Sequence, residues 1–296
     1  MGLDKVRCVI VHYRTPLETV RSARAVAETA PEAEIVIVDN ASGDDIGKRL
    51  AEKVPRARLL RETANRGYGA ACNRGARESS SSFLLFLNSD AFVQPGSIAA
   101  LRVALQADPS AAIVGPRLEY SDGRLQTSIQ RLPSPWRIFC ESSGLAALSG
   151  GRGFLRGHTK TRENHGQPRA VEALKGAALL VRRSAFEEAG GFDEDFFLYA
   201  EETDLMARFR RRGYRILYEP RAVVVHTGGA SSGEALFGEL HSSLCRYVRK
   251  FHGPAAARFA GAALALGAAG RYGAALLTPG QTGRRRRVRY RAALTR

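Results

Sequence analysis

The first half of the chain alternates two hydrophobic rhythms. Short apolar runs (Val6 to Val11, Glu34 to Asp39, Ala57 to Leu60, Phe83 to Asn88 and Ala111 to Gly115) are separated by longer stretches with apolar positions at helical spacing. Strand-length runs separated by helical segments predict a mainly parallel sheet with helices on its faces. Ligands of such open sheets bind beyond the carboxyl ends of strands, where strand order reverses. A polar residue that ends an apolar run is therefore a candidate contact. Asp39 closes "IVIVD", and Asn88-Ser89-Asp90 closes "FLLFL".

From about Tyr120 the rhythm changes. Asp122-Gly123 reads as a hairpin turn. Ser149 to Pro168, rich in Gly, Arg and His without periodicity, reads as a mobile loop. Regular structure is expected again over Val171 to Val181, in a helix near Glu201 to Arg212, in strands at Arg215 to Tyr218 and Ala222 to Val225, and in a long helical tail from about Glu234. The uncharged stretch Phe259 to Gly270 would rise only about 18 Å as a helix, short of a hydrocarbon core of about 30 Å. It should not span. Two readings stay open for it and the following "GRRRRVRYR": a packing helix with a solvated tail, or an interfacial helix whose arginines meet anionic lipid. There is no internal repeat.

Length and charge narrow the picture. A chain of 296 residues has room for two domains or one large α/β domain. The domain expectation is 1–231 for a catalytic α/β domain and 232–296 for a helical, basic extension. With 45 basic and 29 acidic residues the net charge is +16, which favours anionic partners such as nucleotides, lipid head groups or nucleic acid. Cys8, Cys72, Cys140 and Cys245 form no CxxC pair, so neither a zinc ribbon nor a disulfide scaffold is indicated. The N-terminus runs directly into a strand without the pattern of a signal peptide. A cytoplasmic location is expected, with the inner face of the cell membrane as an alternative.

Five short motifs carry candidate chemistry, and each has a structural reading beside the functional one. Asp90 would hold a hard divalent cation, Mg²⁺ or Mn²⁺, or would cap a turn together with Asn88. Asp39 would accept the imino N–H of a uracil or thymine ring, or would cap a loop. The small residues of "NRGYGAACNRGA", with Asn65, Gly67 and Asn73, allow a helix start to approach a ligand or the sheet. No GxGxxG or GxxxxGK[ST] is present. Glu201, Glu202 and Asp204 crowd a helix start, where acids also suit the helix dipole. His226 ends an apolar strand before two glycines, where a lone histidine would be structural and one beside a metal carboxylate a candidate imidazole ligand.

The ordered set "VIVHYRT", "VDNAS", "NRGYGAACNRG", "FLNSD", "KGAALLVRRSAFEEAGGFDEDFFLYAEETDL" and "VVVHTGGAS" resembles the family 2 glycosyltransferases of GT-A fold, in particular their rhamnosyltransferase-like members. The resemblance covers Val6 to Ser231. It implies a metal-assisted, inverting transfer of a sugar from a nucleotide diphosphate to an acceptor hydroxyl. On that resemblance Asp39 matches the nucleobase-binding aspartate, Asp90 the last aspartate of the DxD motif, and His226 a histidine that completes the metal site in some relatives. Glu202 falls where the family carries its general base, with Asp204 as rival. Two positions depart from the family pattern: Asn88 replaces the first DxD aspartate, and Glu201-Glu202 replaces a Glu-Asp pair. The expected donor is dTDP-rhamnose or a UDP-sugar, and the expected acceptor a saccharide or lipid-linked saccharide of the cell envelope. A nucleotidyltransferase would show a Gly-rich basic loop near the N-terminus, which "HYRTPLET" is not. A basic nucleic-acid-binding protein would show a recognisable binding motif, and none is apparent.

Overall fold

The computed structural model describes residues 5–77, 80–150, 153–159, 163–228 and 237–294. Strands β1 (Val6–His12), β2 (Glu34–Asp39), β3 (Arg58–Arg61) and β4 (Phe83–Asn88) alternate with helices α1 (Pro16–Thr29), α2 (Ile46–Lys53) and α3 (Tyr68–Ala76). There follow β5 (Ala91–Val93), α4 (Ser97–Ala107), β6 (Ala111–Glu119), β7 (Leu125–Gln126) and β8 (Ile129–Gln130). The next elements are α5 (Pro135–Ser143), α6 (Leu145–Leu148), β9 (Arg169–Val171), β10 (Ala173–Leu174), β11 (Ala178–Arg182), α7 (Arg183–Glu188) and α8 (Glu201–Arg211). The described chain closes with β12 (Arg215–His226), α9 (Phe237–His252), α10 (Pro254–Leu276) and α11 (Gly280–Leu294).

These elements divide into two compact units. The described residues of Met1–Ile129, Asn164–Asp195 and Glu201–Ser231 form the first, and those of Gln130–Glu163, Phe196–Ala200 and Ser232–Arg296 the second.

The first unit is built on a mixed, mainly parallel sheet in the order β3-β2-β1-β4-β11-β6-β12-β5. β1 to β4 are mutually parallel where they pair, β11 runs antiparallel to both β4 and β6, and β12 returns parallel to β6. All seven residues of β1 are buried, as expected of a strand covered on both faces. Alternate residues serve the two faces. Cys8, Ile10, Ile37 and Leu85 join Val26, Leu50 and Leu101 of α1, α2 and α4 in one core. On the other face Phe86 meets Phe186 and Phe192 with ring centroids 5.1 and 4.9 Å apart. α3 lies on this face so closely that a side chain at Gly75 would overlap Val9 and Val38. That approach is what the small residues of α3 allow.

The hairpin expected at Asp122-Gly123 is present between β6 and β7, with Gly123 at φ 79°. One expectation is corrected and two are given finer detail. The two strands expected over 215–225 are one strand, β12, with an irregularity between Glu219 and Val223. The regular structure expected over 171–181 is present as three short strands, β9 and β10 parted at Glu172 and β10 and β11 by a turn at Gly176-Ala177. The helical tail is three helices rather than one. Pro254 follows Gly253 at φ 88°, and Pro279 precedes Gly280 at φ 74°, and each pair stops a helix. The proposed start of the tail at Glu234 lies outside the described residues, as does the end of the "VVVHTGGAS" motif. Within the stretch read as a mobile loop, Gly153–Leu155 forms a 3₁₀ turn.

The second unit packs α5 against α10. Trp136 stacks between Phe139 and Phe154, Phe139 meets Phe259, and Arg271 donates to the Glu141 carbonyl at 3.0 Å. Among the described residues no helix is long and apolar enough to cross a membrane.

Candidate active site

The sheet delivers its polar strand ends to one edge. β1, β2, β4, β6 and β12 all point their carboxyl ends the same way, so Asp39, Asn88 and His226 share that edge, with Asp90 just past β4. Because β11 runs in the opposite direction, it begins there instead. The Asn88 backbone N–H donates to the Ala177 carbonyl at 3.0 Å, which brings Lys175 and Gly176 to the same place.

Asp39 is buried, and its Oδ1 accepts the Ser42 N–H at 2.9 Å. Asn40 locks the neighbouring loop: its amide donates to Asn65 Oδ1 at 2.8 Å and to the Gly67 carbonyl at 3.2 Å, while its own Oδ1 accepts the Arg66 N–H. Asn65 also accepts the Gly67 N–H, and Gly67, at φ 91°, opens α3. Asn73 is committed to the loop after α7, donating to the Phe192 carbonyl and Glu194 and accepting the Phe192 N–H at 2.9 Å. Asn65 and Asn73 therefore shape the rim through internal bonds.

Asp90 and His226 meet where β5 pairs with the end of β12, with Oδ1 and Nε2 3.3 Å apart and both side chains buried. The Asp90 carbonyl accepts the Thr227 N–H, which fixes the turn after β4 to the end of β12. Gln126 of β7 orients the ring. Its Oε1 lies 2.6 Å from His226 Nδ1 and accepts from Lys175 Nζ at 2.9 Å, while its Nε2 donates to the His226 carbonyl at 3.2 Å. An amide oxygen only accepts, so Nδ1 carries a proton and Nε2 faces Asp90. Neighbouring donors around an octahedral Mg²⁺ at about 2.1 Å stand about 3 Å apart. The Asp90–His226 separation suits that, and the Gln126 bond is the kind of outer contact that orients ligating histidines. Among the described residues no third metal-ligating side chain joins them. Two protein donors suit an ion that keeps waters and takes substrate phosphates.

Against Lys175 and Gly176 α8 starts with Glu201 and Glu202. Tyr199 and Ala200, the two residues before it, hold φ of 67° and 64°, an uncommon backbone for non-glycine residues. The Oε2 atoms of both glutamates are buried and have no hydrogen-bond partner among the described residues. Burial raises both acids, and the Glu202 charge pushes Glu201 further, well above the usual carboxylate range. Glu202 is raised less because the backbone N–H groups of Glu202, Gly176 and Thr203, and the Lys175 charge, favour its ionised form. Burial pushes the Lys175 ammonium down while Asp90 and Glu202 pull it back up. One cation thus answers to both sides of the site. Gly176 gives Glu202 its seat, since a Cβ there would stand 3.0 Å from Cγ and Cδ of Glu202.

Asp204, the rival acid, is fully buried, and its Oδ2 accepts from Arg208 Nε at 2.7 Å. Arg208 in turn donates to the Ala189 carbonyl. Their i,i+4 spacing is the legible sign of that pairing. Sequence reasoning missed Gln126, Lys175 and Tyr68. The Tyr68 hydroxyl is buried near the glutamates, and burial raises it well above an ordinary phenol, with Cys72, Glu201 and Glu202 adding to the shift. Tyr68 and Lys175 lie inside motifs already singled out, whereas Gln126 sits on a two-residue strand that no periodicity marks.

The strand ends thus gather a carboxylate–imidazole pair and a raised acid pair on a mixed sheet. The family model for glycosyl transferase family 2 matches residues 10–190. The chain belongs to glycosyltransferase family 2. It is similar to the N-acetylglucosaminyl-diphospho-decaprenol L-rhamnosyltransferase of Mycobacterium tuberculosis, at 33% identity over 231 residues and 73% of either chain. A low-salt glycan biosynthesis hexosyltransferase of Haloferax volcanii is 26% identical over 72% of this chain and 64% of its own. Among solved structures, a mannosyltransferase of Pyrobaculum calidifontis in complex with GDP-Man and Mn²⁺ superposes with TM-score 0.58 at 18% identity, over 98% of this chain and 84% of that one. GalNAc-T7 with UDP, GalNAc and Mn²⁺ gives 0.60 at 16% identity over 83% of this chain, which spans only 48% of that protein. At such identities the likeness is one of fold, and that fold is GT-A.

Proposed function

We propose that this family 2 enzyme is an inverting glycosyltransferase of cell-envelope polysaccharide or glycolipid assembly. Its first-choice reaction moves rhamnose from dTDP-rhamnose to the hydroxyl of a saccharide or lipid-linked saccharide. The observation that carries the reaction type is a pair of carboxylate sites joined through one lysine: Asp90 held against His226, and Glu202, whose buried Oε2 has no partner among the described residues, both acting on Lys175. The rhamnosyltransferase relative, matched over nearly three quarters of both chains, supports the sugar.

In this reading Asp39 accepts the pyrimidine imino N–H through the oxygen that Ser42 does not occupy. Asn88 and the loop held by Asn65, Gly67 and Asn73 border the donor. Asp90 and His226 hold Mg²⁺ or Mn²⁺, which when bound neutralises the departing diphosphate. Glu202 takes the acceptor proton as the acceptor oxygen forms its bond to the anomeric carbon and the bond from that carbon to the diphosphate breaks. Attack opposite the leaving group inverts the centre. A raised Glu202 suits a general base better than an ordinary surface acid. Asp204, paired with Arg208, has a structural role. Work at the cytoplasmic side of the cell membrane follows from a nucleotide-sugar donor.

A UDP-hexose or UDP-N-acetylhexosamine donor is the second reading, favoured by the hexosyltransferase relative. A hydrolysis and transfer screen across nucleotide sugars separates the two. Turnover should be fastest with dTDP-rhamnose, depend on Mg²⁺ or Mn²⁺, and vanish in Asp90→Ala. Full turnover in excess chelator would remove the metal assignment, and a preference for UDP-hexose would move the donor to the second reading.

A further inference from the structure

The second unit carries a surface that sugar transfer does not use. On α10 three large apolar side chains are exposed, Phe259 at 47%, Leu266 at 73% and Leu277, at the helix end, at 87%. They are separated by seven and eleven residues, close to two and three helical turns, so they fall on one line along a helix rise of about 27 Å. Between Arg258 and Arg271 no charge interrupts that line, and Arg271 is drawn away to the Glu141 carbonyl. Scattered exposed leucines are ordinary, whereas a continuous apolar line on a solvent-facing helix marks an interaction surface.

α11 adds an independent feature. Glu239 is the last acidic residue of the chain, and every charge after it is positive. Arg287 fixes α11 to α10 by donating to the Ala275 carbonyl at 3.1 Å. Arg284, Arg285 and Arg289 are exposed, Arg289 lying 4.5 Å from the Phe237 ring centroid. An exposed apolar line on one helix, and exposed arginines with no acidic residue on the helix bonded to it, fit the boundary of an anionic bilayer, where apolar side chains enter the acyl layer and guanidinium groups meet phosphate.

We propose that the exposed face of α10, with α11 beside it, docks this protein on an anionic lipid surface, α10 lying in the plane of the interface. The inference does not depend on the donor or on the reaction assigned above. The full chain should sediment with vesicles containing phosphatidylglycerol and much less with pure phosphatidylcholine, the difference shrinking as salt screens the charges. Each arginine near an anionic surface contributes about fivefold in partitioning. Replacing Arg284, Arg285 and Arg289 together by Gln should therefore weaken binding by about 10² at low salt. Leu266→Gln with Leu277→Gln should weaken it at high salt as well, with thermal unfolding close to the parent because both side chains are exposed. Equal sedimentation with neutral vesicles, or no change in either variant, would overturn the proposal. So would a duplex oligonucleotide that displaces the vesicles through the same arginines, or a stable dimer that Leu266→Gln dissociates, which would give the face to a second copy of the chain.

Discussion

Asp90 and Glu202 are carboxylates brought to one sheet edge, and their surroundings differ in kind. Asp90 sits against an imidazole whose orientation is fixed by Gln126, and its backbone is tied to the residue after β12. Glu202 is held by backbone N–H groups on one side and leaves Oε2 buried without a partner among the described residues. A binding group profits from being fixed in its charged form, because it must present the same face to every substrate. A proton acceptor profits from being poorly stabilised as an anion, because that raises its basicity. One functional group, the carboxylate, is thus given two different surroundings, which is the contrast the roles proposed for Asp90 and Glu202 rest on.

The contrast can be broken most severely at Glu202. Glu202→Gln keeps the shape and removes the acceptor, so the transfer rate should fall by about 10² to 10⁴ while donor affinity, read by calorimetry, stays near parental. Asp204→Asn is its control: breaking a buried pair costs about 3–5 kcal/mol of stability, yet the folded fraction should still transfer sugar. A dead Asp204→Asn with intact donor binding, beside an active Glu202→Gln, would exchange the two roles.

Gln126→Leu loosens the other side. It removes the bond that sets the His226 tautomer, and the loss expected for such an outer contact is about 10- to 100-fold in metal affinity or activity. Raising the metal concentration should recover most of the rate. Recovery by nucleotide sugar instead would place Gln126 at the donor.

The smallest effect is on stability. Glu201 is raised in the folded protein, so its contribution to stability is full below the unfolded value and is lost as pH climbs toward the folded one. Glu201→Gln lacks that loss. Its melting temperature should exceed the parent's at neutral pH, and the two should converge toward pH 4.5. The acid limb of the pH–rate profile should stay in place, since Glu201 is the more strongly raised of the two acids. A limb that moves in Glu201→Gln would mean that the pair shares its proton.

Much of this was legible in the chain. β2 and β4 occupy the residues their apolar runs mark, and α8 begins at the acidic cluster. Buried strands announce themselves because both faces must be apolar, and a polar residue at their end stands out against that background. The breaks in the C-terminal helices were also written, in Gly253-Pro254 and Pro279-Gly280, but composition obscured them. Gln126 and Lys175 were not legible as site residues. Their importance comes from the meeting of β7, the start of β11 and the end of β12, and a single polar residue on a two-residue strand has no local pattern. The commitment of Asn73 to Phe192 and Glu194 was equally hidden, since an amide in a helix carries no sign of which distant loop it will hold.

β11 has a consequence for how the molecule is made. Leu180 pairs with Leu85 on one side and with Val114 on the other. Until that strand arrives, the sheet consists of two separate pieces with open inner edges, one ending at Asp39 and the other lacking the strand that will carry His226. During synthesis both edges must wait, since their shared partner is encoded far downstream, and such long-range closure is slow and exposes strands to stray pairing. The centre of the sheet is therefore completed late. A nascent chain cut off before β11 would leave the ribosome with two unsealed edges and no site at all.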